Sequence, residues 1–244
     1  MKIIVTKDQK ELAVEAWQVM RSVLLQKEDA VLGLATGSTP IGLYDEMVAD
    51  HLKNGTSYRR VRAVNLDEYV GLSPQNDQSY RYFMKKHLFD RIDIAPESTF
   101  IEDGLATDAE AECRRYDAVL SRLPRDIQLL GIGANGHIAF NEPGTPFDLT
   151  THVVDLTQNT IQMNARFFEK ESDVPRRAFT MGPKSIMEAK KILLLAVGEN
   201  KAQAVAAAVQ GPVTPDLPAS ILQRHPDCIL IADEAAASLL KPNL

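Results

Sequence analysis

Short apolar runs alternate with amphipathic stretches from one end of the chain to the other. The first apolar run covers residues 2–6, and the stretch after it repeats apolar residues at every fourth position, the spacing of one helix face. That face consists of Leu12, Ala16, Met20 and Leu24. Thr6 and Gln9 have the spacing of a capping box, which predicts the start of this helix. The chain therefore begins with a predicted strand and helix.

The same alternation recurs along the whole sequence. Further strands are predicted at 30–36, 61–66, 98–103, 127–133, 192–197 and 228–233, and helices at 40–54, 77–89, 107–123 and in the Ala-rich segments after the last two strands. Several runs are apolar on consecutive positions, which is typical of strands covered on both faces. We predict a single α/β domain over 1–244, with a doubly wound, mostly parallel sheet, helices on both faces and a small lid segment at about 157–182.

The composition is that of an ordinary globular domain, with 244 residues of which 45% are hydrophobic and 25% charged. Lys and Arg total 27 against 33 Asp and Glu, a net charge of −6 without a basic block, which argues against a nucleic-acid partner. Cys113 and Cys228 form neither a disulfide framework nor a zinc set. No signal peptide is recognisable, and no run approaches ~20 apolar residues. We expect a cytoplasmic protein that does not bind membranes.

Ligands of doubly wound sheets bind beyond the carboxyl ends of the strands, near the point where strand order reverses. After the second strand, Gly37, Ser38 and Thr39 lead into a helix that suits Pro40 at its first position. Free amides at a positive helix start, beside two hydroxyl groups, suit a phosphate group. A plain Ser or Thr helix cap is the alternative, and the spacing excludes a Walker A loop.

Two adjacent acids, Asp67 and Glu68, follow the third strand. Neighbouring residues of a strand point to opposite faces, so we expect only one of them to face the cleft and no catalytic pair. A carboxylate in the cleft would be a general base whose pKa is raised by burial. The alternative is a turn acid that caps local amides, and the residue pattern alone favours it.

The segment 131–136 fits the dinucleotide motif G-x-G-x-x-G and follows a predicted strand. A dinucleotide site also needs a long helix directly afterwards, and Pro143, Gly144 and Pro146 interrupt any such helix. We therefore exclude a site for NAD in this loop.

The same loop carries Asn135, His137 and Glu142. An imidazole that titrates near neutral pH beside a carboxylate can act as a general acid and base. A structural histidine and a metal ligand are the alternatives. Because no third or fourth ligand has a matching spacing, we predict no metal site.

Two cations extend the candidate site. Lys201 stands in the first turn of a predicted helix, where the helix field disfavours a cation unless an anion is bound nearby. With Ser38 and Thr39 it would complete a phosphate clamp. Arg166 lies on a short amphipathic stretch that would close over the cleft. For both cations, the alternative is a solvated surface side chain.

Seven segments occur in the order and spacing of the glucosamine-6-phosphate deaminase family, so the chain resembles this family over nearly its whole length. They are LATGSTP (34–40), NLDEYVGL (65–72), SYRYFM (79–84), GIGANGHIAFNEPG (131–144), the segment around Arg166, TMG (180–182) and GENKA (198–202). The resemblance implies an enzyme of amino-sugar catabolism that converts glucosamine 6-phosphate and water to fructose 6-phosphate and ammonia. It implies neither a metal nor an organic cofactor.

The resemblance also implies roles for single residues. Asp67 matches the base that takes the C2 proton of the open-chain sugar and returns it to C1. His137 matches the ring-opening acid and base, with Asn135 and Glu142 beside it. The residues that match the phosphate site are Gly37, Ser38, Thr39, Arg166 and Lys201.

Two features depart from the family pattern. Many members carry Asp where this chain has Asn135, so we expect an active enzyme with a less basic His137 and with Glu142 as its electrostatic partner. The chain also stops soon after its last strand and helix, whereas the allosterically regulated hexameric members are longer. This favours a monomer or a small homo-oligomer, and leaves hexamer assembly and activation by N-acetylglucosamine 6-phosphate without support.

Two other functions fit part of the pattern. 6-Phosphogluconolactonases are similar in fold and have their own G-x-D-G-H loop, but they lack the NLDEY and FNEPG segments. A sugar-phosphate sensor would share the anion loop without turnover, and such sensors are fused to DNA-binding modules, whereas this chain enters its first strand at Lys2. The retained Asp67, His137 and Glu142 favour the enzyme.

Overall fold

A computed structural model describes residues 1–157, 161, 170 and 174–241 of the chain. In that part, the strands are β1 (Lys2–Thr6), β2 (Val31–Leu34), β3 (Arg62–Asn65), β4 (Asp67–Tyr69), β5 (Thr99–Phe100), β6 (Ile127–Gly131), β7 (His152–Asp155), β8 (Arg177–Thr180), β9 (Ile192–Ala196) and β10 (Cys228–Asp233). The α-helices are α1 (Gln9–Gln26), α2 (Ile41–Asn54), α3 (Tyr80–His87), α4 (Ala109–Arg122), α5 (Pro183–Met187), α6 (Ala202–Gln210) and α7 (Glu234–Ala237). Short 3₁₀ turns lie at Phe89–Arg91, Pro96–Ser98, Glu199–Lys201 and Pro218–Arg224.

The main sheet is parallel and has seven strands in the order β1-β10-β9-β6-β2-β3-β5. Each of the predicted strands corresponds to one of these seven, which confirms the predicted α/β fold. The continuous apolar runs have the expected cause, because every residue of β2 and β9 is buried.

The first helix begins differently from the prediction. Asp8, not Thr6, is its cap, because its carboxylate accepts a hydrogen bond from the amide of Glu11 at 2.9 Å. Thr6 is still part of β1, and its hydroxyl donates to the carbonyl of Ala232 in β10. The predicted apolar face is correct, since Leu12, Ala16, Met20 and Leu24 are all buried.

A second, three-stranded antiparallel sheet has the order β4-β8-β7, and the sequence did not predict it. The chain leaves the main sheet after β3 and enters β4 one residue later, so a segment that looked like a strand followed by a turn is two strands. Of the predicted lid at 157–182, residues 177–180 form β8. Residues 158–160, 162–169 and 171–173 of that lid lie outside the described part of the chain.

The strand order reverses between β2 and β6. From β2 the chain moves outward through β3 to β5, then returns to the other side of β2 as β6 and continues through β9 to β10. The loops that leave β2 and β6 therefore run apart, which opens a crevice at the carboxyl edge of the sheet. This is the place where the sequence predicted the ligand site.

Cys113 and Cys228 are buried free thiols. Burial raises the pKa of both thiols, so both stay protonated at neutral pH. Among the described residues, none of the helices has the length and apolarity needed to cross a membrane.

Candidate active site

A cleft of about 270 Å³ occupies this crevice. Its walls come from stretches of the chain that are far apart in sequence: 35–40, 66–67, Tyr80, 131–133, His137, 139–140 and Lys201. The cleft thus brings together Gly37, Ser38, Thr39, Asp67, His137 and Lys201 from the predicted site. Arg166, the remaining predicted phosphate ligand, lies outside the described residues.

One end of the cleft is built by the loop after β2. Gly37 has a φ of +95°, a left-handed conformation that favours glycine. α2 begins at Ile41, one residue later than predicted, so Pro40 is its cap residue, and no side chain caps this helix. The hydroxyls of Ser38 and Thr39 are therefore not used as a helix cap, which removes the plain-cap alternative for this loop.

Lys201 faces the same end of the cleft from the turn that precedes α6. Its amine is half-buried, and burial lowers its pKa. Gly198 begins this turn at a φ of +92°, and its amide donates to both carboxylate oxygens of Asp233 at 3.0 Å. A half-buried ammonium group at the start of a helix is stabilised by an anion, so Lys201 is not an ordinary solvated cation.

The two adjacent acids of β4 have different surroundings. Asp67 is 6% exposed and faces the cleft. Glu68 is 2% exposed. Its carboxylate accepts hydrogen bonds from the amides of Tyr69, Tyr80 and Arg81. Burial, and then the neighbouring charge of Glu68, raises the pKa of Asp67 to about 8. Both of the predicted alternatives therefore occur, with the cleft carboxylate at Asp67 and the amide-capping acid at Glu68.

His137, Asn135 and Glu142 form one hydrogen-bonded group. The Nδ1 atom of His137 lies 2.8 Å from Oδ1 of Asn135 and 3.5 Å from Oε1 of Glu142. The Asn135 amide nitrogen donates to Glu142 at 2.6 Å. Because a carboxylate only accepts, this contact orients the amide and makes its Oδ1 face His137. Neutral His137 therefore carries its proton on Nδ1, which leaves Nε2 free to exchange a proton.

The pKa of His137 is lowered, in the direction opposite to that of Asp67. Burial is the main cause, because it disfavours the imidazolium, and the charge of Lys201 acts in the same direction. The Glu142 carboxylate opposes both. At neutral pH the ring is therefore uncharged and can accept a proton before it returns one.

Two glycines of the 131–136 motif, Gly133 and Gly136, have structural reasons that do not involve a dinucleotide. A Cβ atom at Gly133 would lie 2.3 Å from the His137 ring, so only glycine allows the ring to pack against this loop. Gly136 has a φ of +84°. Residues 132–151 contain no helix, as the interruptions at Pro143, Gly144 and Pro146 predicted.

Two aromatic residues of the cleft wall were not predicted as site residues. Tyr80 stacks on Phe140 with ring centroids 6.1 Å apart, and its hydroxyl lies 3.1 Å from that of Tyr69. The SYRYFM segment, which the resemblance singled out, was the available signal for Tyr80. Ala139 also lines the cleft and has a φ of +52°, which is uncommon for a residue with a Cβ atom. In the described part of the chain, no three His, Cys, Asp or Glu side chains are grouped to hold a metal ion.

Known proteins resemble this chain over its whole length. A family model described as glucosamine-6-phosphate isomerases/6-phosphogluconolactonase matches residues 7–230. A glucosamine-6-phosphate deaminase from Lactobacillus johnsonii is 54% identical over 242 residues, which is 99% of this chain and 98% of that protein. A protein of the same name from Clostridium perfringens is 49% identical and covers 99% of this chain and 100% of its own length.

Solved structures are also similar to this chain. One described as a monomeric glucosamine-6-phosphate deaminase has a TM-score of 0.95 at 46% identity and covers 98% of this chain and 100% of its own. A 6-phosphogluconolactonase from Trypanosoma brucei has a TM-score of 0.81 at 21% identity, with 98% of each chain covered. The second likeness shows a shared fold alone.

Proposed function

This chain belongs to the family of glucosamine-6-phosphate isomerases and 6-phosphogluconolactonases, and we propose that within this family it works as a glucosamine-6-phosphate deaminase. The reaction converts glucosamine 6-phosphate and water to fructose 6-phosphate and ammonia. Its full-length relatives at about half identity have this name. The 6-phosphogluconolactonases from Trypanosoma brucei and Leishmania guyanensis share 21% and 22% identity with the chain.

One observation carries the proposal. A single cleft holds a carboxyl group with a raised pKa, an imidazole with a lowered pKa and an end built to receive an anion. An aldose-to-ketose conversion of a sugar phosphate needs these three features, namely a base beside carbon, a group that moves protons between oxygens, and a phosphate site. A site that only bound the sugar would need the last feature alone.

The phosphate group is held at the Gly37 and Lys201 end. The backbone amides of the Gly37–Thr39 loop and the hydroxyls of Ser38 and Thr39 donate to the phosphate oxygens, and the Lys201 ammonium group neutralises their charge. The resemblance adds Arg166 to this set. Fixing the phosphate places the other end of the sugar between His137 and Asp67.

His137 opens the sugar ring. Its Nε2 atom takes the proton of the C1 hydroxyl and returns a proton to the ring oxygen, which produces the open-chain aldehyde. Asn135 holds the ring in the required tautomer through the 2.8 Å contact. Glu142 stabilises the transient imidazolium across 3.5 Å.

Asp67 then moves the proton between carbon atoms. Its carboxylate takes the C2 proton next to the aldehyde while the substrate's ammonium group gives a proton to the aldehyde oxygen, and it then delivers the proton to C1, which gives a protonated imine at C2. Water adds to this imine, ammonia leaves, and fructose 6-phosphate remains. A carboxylate whose pKa is raised to about 8 is a stronger base than an exposed one, which suits removal of a proton from carbon.

We also propose a setting for this enzyme. We place it in the cytoplasm as a monomer or small homo-oligomer, with a small sugar phosphate and no nucleic acid as its partner. The 46% identical structure described as monomeric supports this assembly.

An end-point assay tests the function. The pure protein, treated with a chelator, is incubated with glucosamine 6-phosphate, and ammonia and fructose 6-phosphate are measured. Equal amounts of both products are expected. Tight binding of the sugar phosphate without any product would contradict the proposal and identify a sensor instead.

A further inference from the structure

Glu68 caps the N-terminus of α3 and is the neighbour in sequence of the proposed base, Asp67. Its Oε1 atom accepts hydrogen bonds from the amides of Tyr69 and Tyr80, both at 2.9 Å, and its Oε2 atom accepts from the amide of Arg81 at 3.0 Å. Tyr80 and Arg81 are the first two residues of α3. The carboxylate thus occupies amides at the positive end of this helix.

We propose that Glu68 is a positioning residue for the reaction, because the amides at the start of α3 hold its carboxylate in place and its fixed negative charge lies on the residue next to that base. This inference rests on the proposed function. It gives Glu68 a role although its side chain faces away from the cleft.

The physical argument concerns what Asp67 would meet without Glu68. Asp67 and Glu68 are adjacent buried residues of β4, so the charge of Glu68 is little screened and disfavours a second charge on Asp67; without Glu68 that repulsion is lost. The pKa of Asp67 would then fall, and its carboxylate would become a weaker base. No described residue donates a hydrogen bond to the Asp67 carboxylate, as this argument requires.

Glu68 is suited to remain charged in the interior. Burial raises its pKa, but the three amide hydrogen bonds and the Arg81 guanidinium act against that rise. Each of these contacts is made with the ionised form, so they hold the charge in one place.

The other titratable groups around Asp67 do not supply this charge. They are Glu102 after β5, Tyr44 of α2, Tyr80 of α3, and His137 and Lys201 across the cleft. Burial raises the pKa of Glu102 and of both tyrosines and so disfavours a charge on each of them. His137 is uncharged and Lys201 is a cation. Among the described surroundings, Glu68 is therefore the anion that adds to the effect of burial on Asp67.

The test is the pH profile of kcat for Glu68→Gln with glucosamine 6-phosphate. Glutamine keeps the shape and one acceptor oxygen but removes the charge. The acid limb, which reports ionisation of Asp67, is expected to move to lower pH by about one unit, and the plateau kcat is expected to fall several-fold because the base is weaker. Glu68→Asp retains the charge and is expected to leave the limb within a few tenths of a unit.

Ser79→Ala is the matched control. The Ser79 hydroxyl caps the same helix by accepting from the amide of Tyr82 at 3.0 Å, but it has no charge. Its loss is expected to lower stability and to leave the acid limb in place. An equal displacement of the limb in Ser79→Ala would show that loosening of the helix, and not the charge, is responsible, and would overturn the proposal.

A second variant covers the case in which Glu68→Gln does not fold. Arg81→Gln removes the cation opposite Glu68 and retains the amide cap, so the limb is expected to move to higher pH. An unmoved limb in either glutamine variant contradicts the inference. If the wild-type protein forms no product, the proposed function fails; if it turns over and only the limb is unmoved, only the role of Glu68 fails.

Discussion

Asp67 and His137 face the same cleft, and the same physical cause moves their pKa values in opposite directions. Burial disfavours charge, so it raises the pKa of the carboxyl group to about 8 and lowers that of the imidazole. Each shift is then reinforced by one neighbour, Glu68 for the acid and Lys201 for the imidazole. A cleft that is partly closed to water thus obtains two neutral groups near pH 7 that can take up different proton-transfer tasks.

The difference lies in what holds each group. His137 has hydrogen-bonding partners at its Nδ1 atom, so its tautomer and orientation are fixed before substrate binds. Asp67 has burial and a neighbouring charge but no described donor, so its charged form is poorly stabilised. An orienting network suits a group that exchanges protons between oxygens, and an unstabilised carboxylate suits a base that attacks a C–H bond.

The largest expected effect is loss of the acid itself. Asp67→Asn keeps the size of the side chain and removes the base, so kcat is expected to fall by about 10²–10⁴. Binding of fructose 6-phosphate, measured by calorimetry, is expected to stay within a few-fold of wild type. A near-wild-type kcat in this variant would remove Asp67 from the catalytic role. In the wild type, kcat/KM is expected to rise with pH up to about 8, because Asp67 acts as the carboxylate.

Removing the cation at the other end of the cleft tests the phosphate site and the imidazole together. Lys201→Ala is expected to raise KM for glucosamine 6-phosphate by roughly 10-fold to 100-fold, the cost of a lost charge-assisted hydrogen bond, and to affect free glucosamine far less. It also removes a charge that lowers the pKa of His137, so that pKa is expected to rise. Lys10→Ala, at an exposed position of α1, is the control. Equal effects on both sugars would argue against the clamp.

The partner of the imidazole is tested by adding a carboxylate. Asn135→Asp places a second acid beside His137, so the pKa of the imidazole is expected to rise by about one unit, and the corresponding limb of the kcat profile to move to higher pH. Gln26→Glu adds the same charge at the exposed C-terminal end of α1 and is expected to leave the profile unchanged. If both limbs stay in place in Asn135→Asp, the amide is not what keeps His137 less basic.

The smallest expected effect is on the stability of the fold and concerns a buried acid, Glu102, that the proposed reaction does not use. Both carboxyl oxygens of Glu102 are buried without a described partner, and burial raises its pKa well above the ordinary value. A raised folded-state pKa stabilises the fold below the ordinary carboxyl pKa, and that contribution is lost as pH rises. Glu102→Leu is therefore expected to increase the free energy of unfolding by about 1–3 kcal/mol at pH 8 and by less at pH 4.

Denaturant unfolding at several pH values checks this prediction, with Glu97→Leu at an exposed position as the control. A gain for Glu102→Leu that is independent of pH would mean that the buried carboxyl is not neutral in the folded protein.

The main sheet could be predicted because its strands are buried on both faces, and that burial appears in the sequence as runs such as residues 192–197. The small sheet could not be predicted in the same way. β4 has three residues, two of them acids, and its partner β8 lies more than a hundred positions further on. Its pairing depends on tertiary contacts that no local pattern contains.

The candidate site shows the same limit. Ser38, Asp67, His137 and Lys201 were predicted because they follow strands of the main sheet or match a family segment. The contacts of Glu68 were not, because they depend on the amides of α3, whose sequence carries no signal for them. Glu102, near the end of the predicted strand 98–103, was missed because a charged side chain is ordinarily exposed. Arg166 remains a prediction from the resemblance.

The order of the main sheet also affects how the protein is made. β1 has one neighbour in the sheet, β10, and Thr6 donates to a carbonyl 226 residues further along the chain. At synthesis rates of about 5–20 residues per second, the first strand to leave the ribosome waits roughly 10–45 s for its partner. Until then the buried face of α1 lacks its cover from β9 and β10. The nascent chain is therefore exposed to chaperones and to self-association until its last strand has been synthesised.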